Sequence, residues 1–161
     1  MIEQQYCKRL IEVDLPIKRI SKNAREEKEQ RRSHVPLLYI WPATRPPSAC
    51  RAIICATVWP DPKDQLCSPN FLLIAKKEMH RWANNYLKLL SEESYRDFIR
   101  YQKNPKLLDS SDELQKALLH FIADFSNSSN ANREEYIRTS QILTSVASEN
   151  LHANNHRPLV M

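Results

Sequence analysis

The sequence contains no glycine in its 161 residues, whereas average usage would supply roughly 7%, or about 11 residues. Glycine is the residue that lets a backbone adopt a positive φ or approach a phosphate closely. Its absence excludes the P-loop, the dinucleotide fingerprint and the nucleophile elbow, because each of these needs glycine at fixed positions. We therefore expect no cofactor loop of the glycine-rich kind in this chain.

Paired cysteine motifs and long apolar runs are also missing. None of the four cysteines lies at C-x-x-C spacing, and the five histidines do not fall at zinc-finger spacing, so we expect no metal site and reduced thiols in a cytosol. The first residues lack the apolar region of a signal peptide. The longest nearly apolar run, residues 52–59, is far shorter than the ~20 residues that span a bilayer. These absences predict a cytoplasmic chain with no membrane association.

The remaining composition is that of a globular protein with a basic balance. Hydrophobic residues make up 42% and charged residues 27%, with a net charge of +5. The length predicts one domain, or one domain with an arm. A mildly basic chain permits an anionic partner without requiring one.

Apolar periodicity predicts a mainly α fold. Helices are expected from Pro16 to about residue 32, with Ile17, Ile20 and Ala24 on one face, and then over residues 48–58, 68–90, 91–101 and 110–125, with another after Asn132. Most of the ten prolines lie between residues 35 and 69, which predicts an extended proline-rich arm. The apolar residues 157–161 predict a strand whose partner strands are missing.

Adjacent carboxylates and cysteines do not indicate catalysis. The pairs at 26–27, 92–93, 112–113 and 134–135 lie in helix starts or on exposed faces, where the helix dipole explains them. Cys50 and Cys55 lie on a helix that is expected to be buried, as small core side chains. We therefore predict no catalytic residue.

Two stretches are candidates for binding an anion such as nucleic acid. The first is the basic helix with Lys18, Lys22 and Arg25, whose alternative interpretation is a solvated face with pairs such as Lys22–Glu26. The second stretch spans residues 34–51 and contains His34, Trp41, Arg45 and Arg51.

In the second stretch, guanidinium groups lie near the start of a helix opened by Pro46 and Pro47. That combination suits a phosphate or carboxylate, with an aromatic ring to stack a base. The alternative is that Trp41 packs in the core, while Arg45 and Arg51 pair with acids such as Asp61 or Asp64.

The same residues resemble the N-terminal domain of unknown function found in large adenine-specific DNA methylases. The matching blocks, in chain order, are RLIEVDLPIK at 9–18, ARE at 24–26, His34, Leu38, IW at 40–41, Ala43, RP at 45–46, ACRA at 49–52, PDP at 60–62 and, more weakly, FIADF at 121–125. Departures at Tyr39, Pro42 and Thr44 remove a cation and an aromatic ring from the family's pattern.

The resemblance implies the N-terminal fragment of an S-adenosylmethionine-dependent adenine-specific DNA methyltransferase. It divides the chain into a family domain with the proline-rich arm (1–67), a helical segment (68–156) and the start of an absent α/β methyltransferase domain (157–161). The family's glycine-rich cofactor loop would follow, so the chain alone is expected to bind no S-adenosylmethionine and to be inactive. Its expected partners are DNA and a separate catalytic polypeptide. The alternative is a stand-alone nucleic-acid-binding or helical interaction module.

Overall fold

The computed structural model describes residues 6–32 and 46–152. Within these residues the chain forms seven α-helices and three short 3₁₀ turns. The helices are α1 (Leu10–Val13), α2 (Ile17–Arg32), α3 (Pro47–Val58), α4 (Pro69–Asn85), α5 (Glu92–Lys103), α6 (Ser111–Ser126) and α7 (Glu134–His152), and the turns are Leu87–Leu89, Pro105–Asp109 and Ser128–Asn130. The mainly α prediction is therefore confirmed.

Helix α6 is the centre of the fold. From Leu114 to Ser126 every residue except Lys116 is buried, because α2, α3, α4 and α5 all pack around it. A helix that is buried on all sides must be apolar or must supply partners for its polar groups. The polar residues Gln115, His120 and Asp124 on α6 are buried in this way, and their partners form the candidate site.

Aromatic rings fill the core between α3, α4, α6 and α7. The Trp82 and Tyr136 ring centroids are 4.4 Å apart, and Phe125 stacks on Tyr136 at 5.8 Å. Trp59 lies 5.9 Å from Phe121, which connects the end of α3 to this cluster. The buried apolar residues form one cluster that runs from Leu10 to Ala147, across the predicted boundary at residue 67.

A short backbone clamp holds the N-terminal segment against the end of α3. Leu10 donates its N–H to Trp59 O at 3.1 Å, and Asp61 donates to Lys8 O at 2.8 Å. Arg9 and Pro60 form an isolated antiparallel bridge, and no strand occurs in residues 6–32 or 46–152. The predicted strand at 157–161 and the central part of the proline-rich arm, residues 33–45, lie outside the described residues.

The helices predicted from the sequence are confirmed, with three corrections. Ile17 was expected on one face with Ile20 and Ala24, but Ile17 is 66% exposed whereas Ile20 is buried, since the inner face of α2 begins with Arg19. The fourth helix ends at Asn85, and a 3₁₀ turn over Leu87–Leu89 replaces its expected last turn.

The third correction concerns the start of α6. Ser110 and Glu113 have the residue types and spacing of a capping box, but the Ser110 side chain makes no capping hydrogen bond. The Glu113 carboxylate instead accepts from the Tyr101 hydroxyl at 2.8 Å.

Candidate nucleic-acid interface

Helix α2 presents cations to solvent along its outer side. Lys18, Lys22, Arg25 and Lys28 are all exposed, and we call these four residues the cationic face. The spacing of the first three places them in one row, and the face spans about 15 Å at a rise of 1.5 Å per residue. The predicted Lys22–Glu26 pair is confirmed, with Nζ and Oε1 3.9 Å apart, but an exposed pair of this length contributes little to stability.

The inner side of α2 carries polar residues that were not predicted from the sequence. Arg19, Asn23 and Glu27 follow one another at four-residue intervals, and we call them the polar seam. Asn23 Nδ2 donates to Ala123 O at 3.0 Å and to Ser126 Oγ at 2.7 Å. The seam therefore fixes α2 to the last turn of α6 through hydrogen bonds.

Arg19 is the most highly connected residue of the seam. Its Nη2 atom lies 2.6 Å from Asp124 Oδ1, 2.7 Å from Ser91 Oγ and 3.1 Å from Ser94 Oγ. Its Nη1 atom lies 2.8 Å from His120 Nδ1. One guanidinium group thus joins α2 to the start of α5 and to α6.

The contacts of His120 continue this network into α5. His120 is only 8% exposed, and its Nε2 atom lies 3.0 Å from Asp97 Oδ2. The same carboxylate oxygen lies 2.8 Å from Lys116 Nζ. Burial lowers the pKa of His120, and the nearby Arg19 charge lowers it further.

Burial alone would raise the pKa of Asp97, but hydrogen bonds from Lys116, Arg100 and His120 outweigh that effect and lower it. The ring and the carboxylate are therefore kept in the neutral and the charged form, respectively.

Ser94, His120 and Asp97 have the residue types of a hydrolase triad but not its accessibility. Ser94 Oγ lies 3.3 Å from His120 Nδ1, on the nitrogen that also faces Arg19. Ser94 is fully buried, so a substrate carbonyl has no access to its hydroxyl. A nucleophile must reach the reacting atom, and this trio instead joins α5 to α6.

The start of α3 already holds an anion from the same chain. Ser48 N donates to Glu27 Oε2 at 3.0 Å, and the Ser48 hydroxyl also contacts that oxygen. Glu27 is buried. The Ser48 amide is therefore occupied by a carboxylate of the same chain, and the binding of an external phosphate or carboxylate at this helix start stays a prediction.

Arg51 binds the C-terminal end of α6. Its Nε and Nη2 atoms donate to Phe125 O at 3.2 Å and Ser126 O at 3.0 Å, and its guanidinium lies over the Phe125 ring. A cation at a helix C-terminus satisfies the last carbonyls and interacts favourably with the dipole. Of the predicted site residues, Arg51 thus has a structural role, whereas Lys18, Lys22 and Arg25 are exposed. His34, Trp41 and Arg45 lie outside the described residues.

Residues from several of the blocks quoted above make contacts with distant parts of the chain. Arg9 Nη1 donates to Val58 O at 3.1 Å, so it caps the end of α3. Asp61, from the PDP block, is buried and accepts from Gln115 Nε2 at 2.8 Å. Arg19 pairs with Asp124 of the FIADF block. These residues therefore hold the fold together.

A surface pocket of about 460 Å³ lies beside the N-terminal clamp, with Tyr6, Lys8, Asp61 and Asp64 in its lining. Its carboxylates already have partners within the chain: Asp61 accepts from Gln115, and Asp64 accepts from the Lys8 and Leu66 amides at 2.8 Å each. No metal-binding group of three or more His, Cys, Asp or Glu occurs in the part of the chain that the structure describes. No helix of that part is long and apolar enough to cross a membrane.

Residues 14–85 match a protein family described as "Protein of unknown function (DUF1156)". The matched segment runs from the end of α1 to the end of α4, so it contains the cationic face, the polar seam and Arg51. No curated protein and no solved structure matches the chain.

Proposed function

We propose that this chain is a non-catalytic helical domain of an adenine-specific DNA methyltransferase, and that it holds the DNA backbone through the cationic face of α2. In this proposal, a separate catalytic polypeptide binds S-adenosylmethionine and carries out the methyl transfer. The predicted strand at 157–161, the extended arm and a cytoplasmic location belong to the same proposal.

The exposure of the cationic face of α2 is the observation that supports the proposed DNA contact. Lys18, Arg25 and Lys28 are exposed, and the structure gives them no ion pair within residues 6–32 and 46–152. Their side chains are therefore available to phosphates without first breaking an internal bridge. A face of about 15 Å matches roughly four to five base pairs along the duplex axis.

The methylase part of the proposal depends on the sequence resemblance. The DUF1156 match over residues 14–85 covers the quoted blocks from Asp14 to Pro62, but its description names no activity. The absence of glycine from the sequence supports a non-catalytic role, because a methyltransferase cofactor loop needs backbone that approaches the ligand closely.

A second candidate function is a helical interaction module without nucleic acid. It is favoured by the outer side of α3, where Ile53 is 46% and Ile54 is 47% exposed. Adjacent apolar side chains on a helix surface are common in protein contacts.

A salt titration of DNA binding separates the two candidates. Three to four phosphate contacts predict that affinity for duplex DNA falls roughly 40- to 150-fold between 50 and 200 mM salt, from a slope of about −0.9 per contact. Absence of binding at 50 mM salt would refute the DNA role and leave the interaction module.

The methyltransferase role has its own test. The chain is added to a separately expressed catalytic polypeptide of the methylase family, and methyl transfer from S-adenosylmethionine to adenine in duplex DNA is measured. We expect the chain alone to be inactive and the mixture to exceed the catalytic polypeptide alone. Equal activity with and without the chain would count against the proposal.

A further inference from the structure

His120 lies between a permanent cation and a carboxylate, in the seam that attaches α2. Arg19 Nη1 lies 2.8 Å from Nδ1, and Asp97 Oδ2 lies 3.0 Å from Nε2. We propose that His120 is an acid-sensitive latch, which holds α2 against α5 and α6 while the ring is neutral and releases α2 when the ring takes up a proton. The latch concerns the docking of α2 and does not depend on the proposed DNA contact.

The two neighbours fix the tautomer of the ring. A guanidinium group has donors only and stays protonated in proteins, so Nδ1 must be the acceptor of the Arg19 hydrogen bond. The Nε2 atom then carries the proton and donates it to Asp97. The observed geometry therefore requires a neutral imidazole with its proton on Nε2.

A second proton has little to bind in this arrangement, since the acceptor beside Nδ1 is the Ser94 hydroxyl at 3.3 Å. It would bind to Nδ1 and point at the N–H of Arg19, so a hydrogen bond would be replaced by a contact between two donors and two positive charges. Relief requires Arg19 to move away from His120. Such a movement also takes Arg19 away from its contacts with Ser91, Ser94 and Asp124.

The attachment of α2 depends strongly on these polar contacts. Among the described side chains of α2, Ile20 is the buried hydrophobic one and Ala24 is partly buried, while Arg19, Asn23 and Glu27 supply hydrogen bonds on the inner side. With little apolar area to retain it, the helix is more sensitive to loss of hydrogen bonds than a helix with an apolar stripe.

The carboxylates near the ring already have cationic partners, so they do little to stabilise a second proton on His120. Asp97 pairs with Lys116 Nζ and Arg100 Nη1, and Asp124 pairs with Arg19. Other charged groups that contact this network are Glu93 of α5, which faces Arg19, Arg51 of α3 at the end of α6, and Glu113 of α6, which faces Arg100 and Tyr101. Tyr136 of α7 interacts electrostatically with Asp124 and Arg19, as well as with Arg133 and Glu135. Helix α4 carries the Glu78–Arg81 pair.

The direction of the pH effect follows from the lowered pKa of His120. The folded state binds the proton less readily than the unfolded chain, whose histidine has the ordinary value of 6.5. The stabilisation is complete above that value and is lost as the pH falls below it, by at most tenfold in the opening equilibrium per pH unit. Carboxylates such as Asp97 titrate lower, so their effect begins at a more acidic pH.

Hydrogen exchange of the full chain between pH 7.5 and 5.0, corrected for intrinsic rates, tests the latch. We expect the protection of α2 amides to fall severalfold below pH 6.5, while amides in the middle of α6 keep theirs. The variant His120→Gln can accept from Arg19 and donate to Asp97 but cannot gain a proton, so its α2 protection should not change over this range. His80→Gln, which alters a histidine on α4, should behave as the wild type does.

Unchanged α2 protection in the wild type, or the same loss in His120→Gln, would overturn the proposal. A nitrogen-15 titration of the wild-type ring provides a second measurement that needs no variant. We expect a neutral form protonated at Nε2 and a midpoint below 6.5. A proton on Nδ1, or a midpoint at or above 6.5, would contradict the latch even if the variant fails to fold.

Discussion

Glu27 and Ser48 lie 21 positions apart, yet the Glu27 carboxylate accepts from the Ser48 amide at 3.0 Å. This contact connects α2 to the first turn of α3 and uses a position at which a helix commonly binds an external anion. The inner side of α2 thus serves the fold, while its outer side keeps the exposed cations.

Removal of the Glu27 carboxylate should destabilise the protein. Glu27→Ala leaves the Ser48 amide and hydroxyl without this acceptor in a buried site, and we expect the free energy of unfolding to fall by about 2 kcal/mol. Urea unfolding followed by circular dichroism measures the change. The matched control is Glu26→Gln, which removes an exposed charge and should cost less than about 0.5 kcal/mol. Equal losses in the two variants would show that the contact contributes nothing.

Substitution of Arg51 should change the free energy of unfolding, whereas substitution of Arg25 should change DNA binding. Arg51→Met keeps an unbranched apolar side chain but loses the guanidinium donors to the last carbonyls of α6, so we expect a loss of about 1–2 kcal/mol in unfolding free energy. The salt dependence of DNA binding by the folded variant should match the wild type. If the variant showed a smaller salt dependence of DNA binding with an unchanged free energy of unfolding, Arg51 would be a DNA contact after all.

Arg25→Gln should show the opposite pattern. Loss of one phosphate contact predicts weaker binding to all duplex sequences and a salt slope reduced by about 1, with stability unchanged. Lys77→Gln, which removes an exposed cation from α4, is the control of equal charge. If both variants weaken DNA binding equally, the effect reflects net charge and the cationic face of α2 has no special role.

The sequence predicted the helices better than it predicted what joins them. Proline positions marked the starts of α2 and α3, and the helix over residues 110–125 was correctly identified, because these signals are local. The partners of Arg19 lie 72 to 105 positions away, and no local pattern indicates such pairs. The one available signal was the recurrence of Arg19, Asn23 and Glu27 at four-residue intervals, which places polar groups on the same side as Ile20.

The candidate site shows the same limit. The exposure of Lys18, Lys22 and Arg25 follows from charge and helical spacing, and so did the Lys22–Glu26 pair. Arg51 has the same residue type as Arg25, but it faces the end of α6, and only the packing of α3 on α6 decides that. Likewise His120 lies inside a predicted core stripe, and its two neighbours come from α2 and α5.

The four thiols should divide into two reactive and two protected groups. Cys55 and Cys67 are buried, and desolvation is the main cause that raises the pKa of each to about 12. The thiolate is the reacting species, and a pKa of about 12 leaves a thiolate fraction of about 10⁻⁴ at pH 8 for both residues.

Cys7 and Cys50 are partly exposed, so we expect a disulfide reagent to modify these two in the native protein. Cys55 and Cys67 should react only when urea unfolds the chain, as peptide mass spectrometry can establish. Native-state labelling of Cys55 as fast as that of Cys50 would mean that α3 separates from the core more readily than its packing on α6 implies.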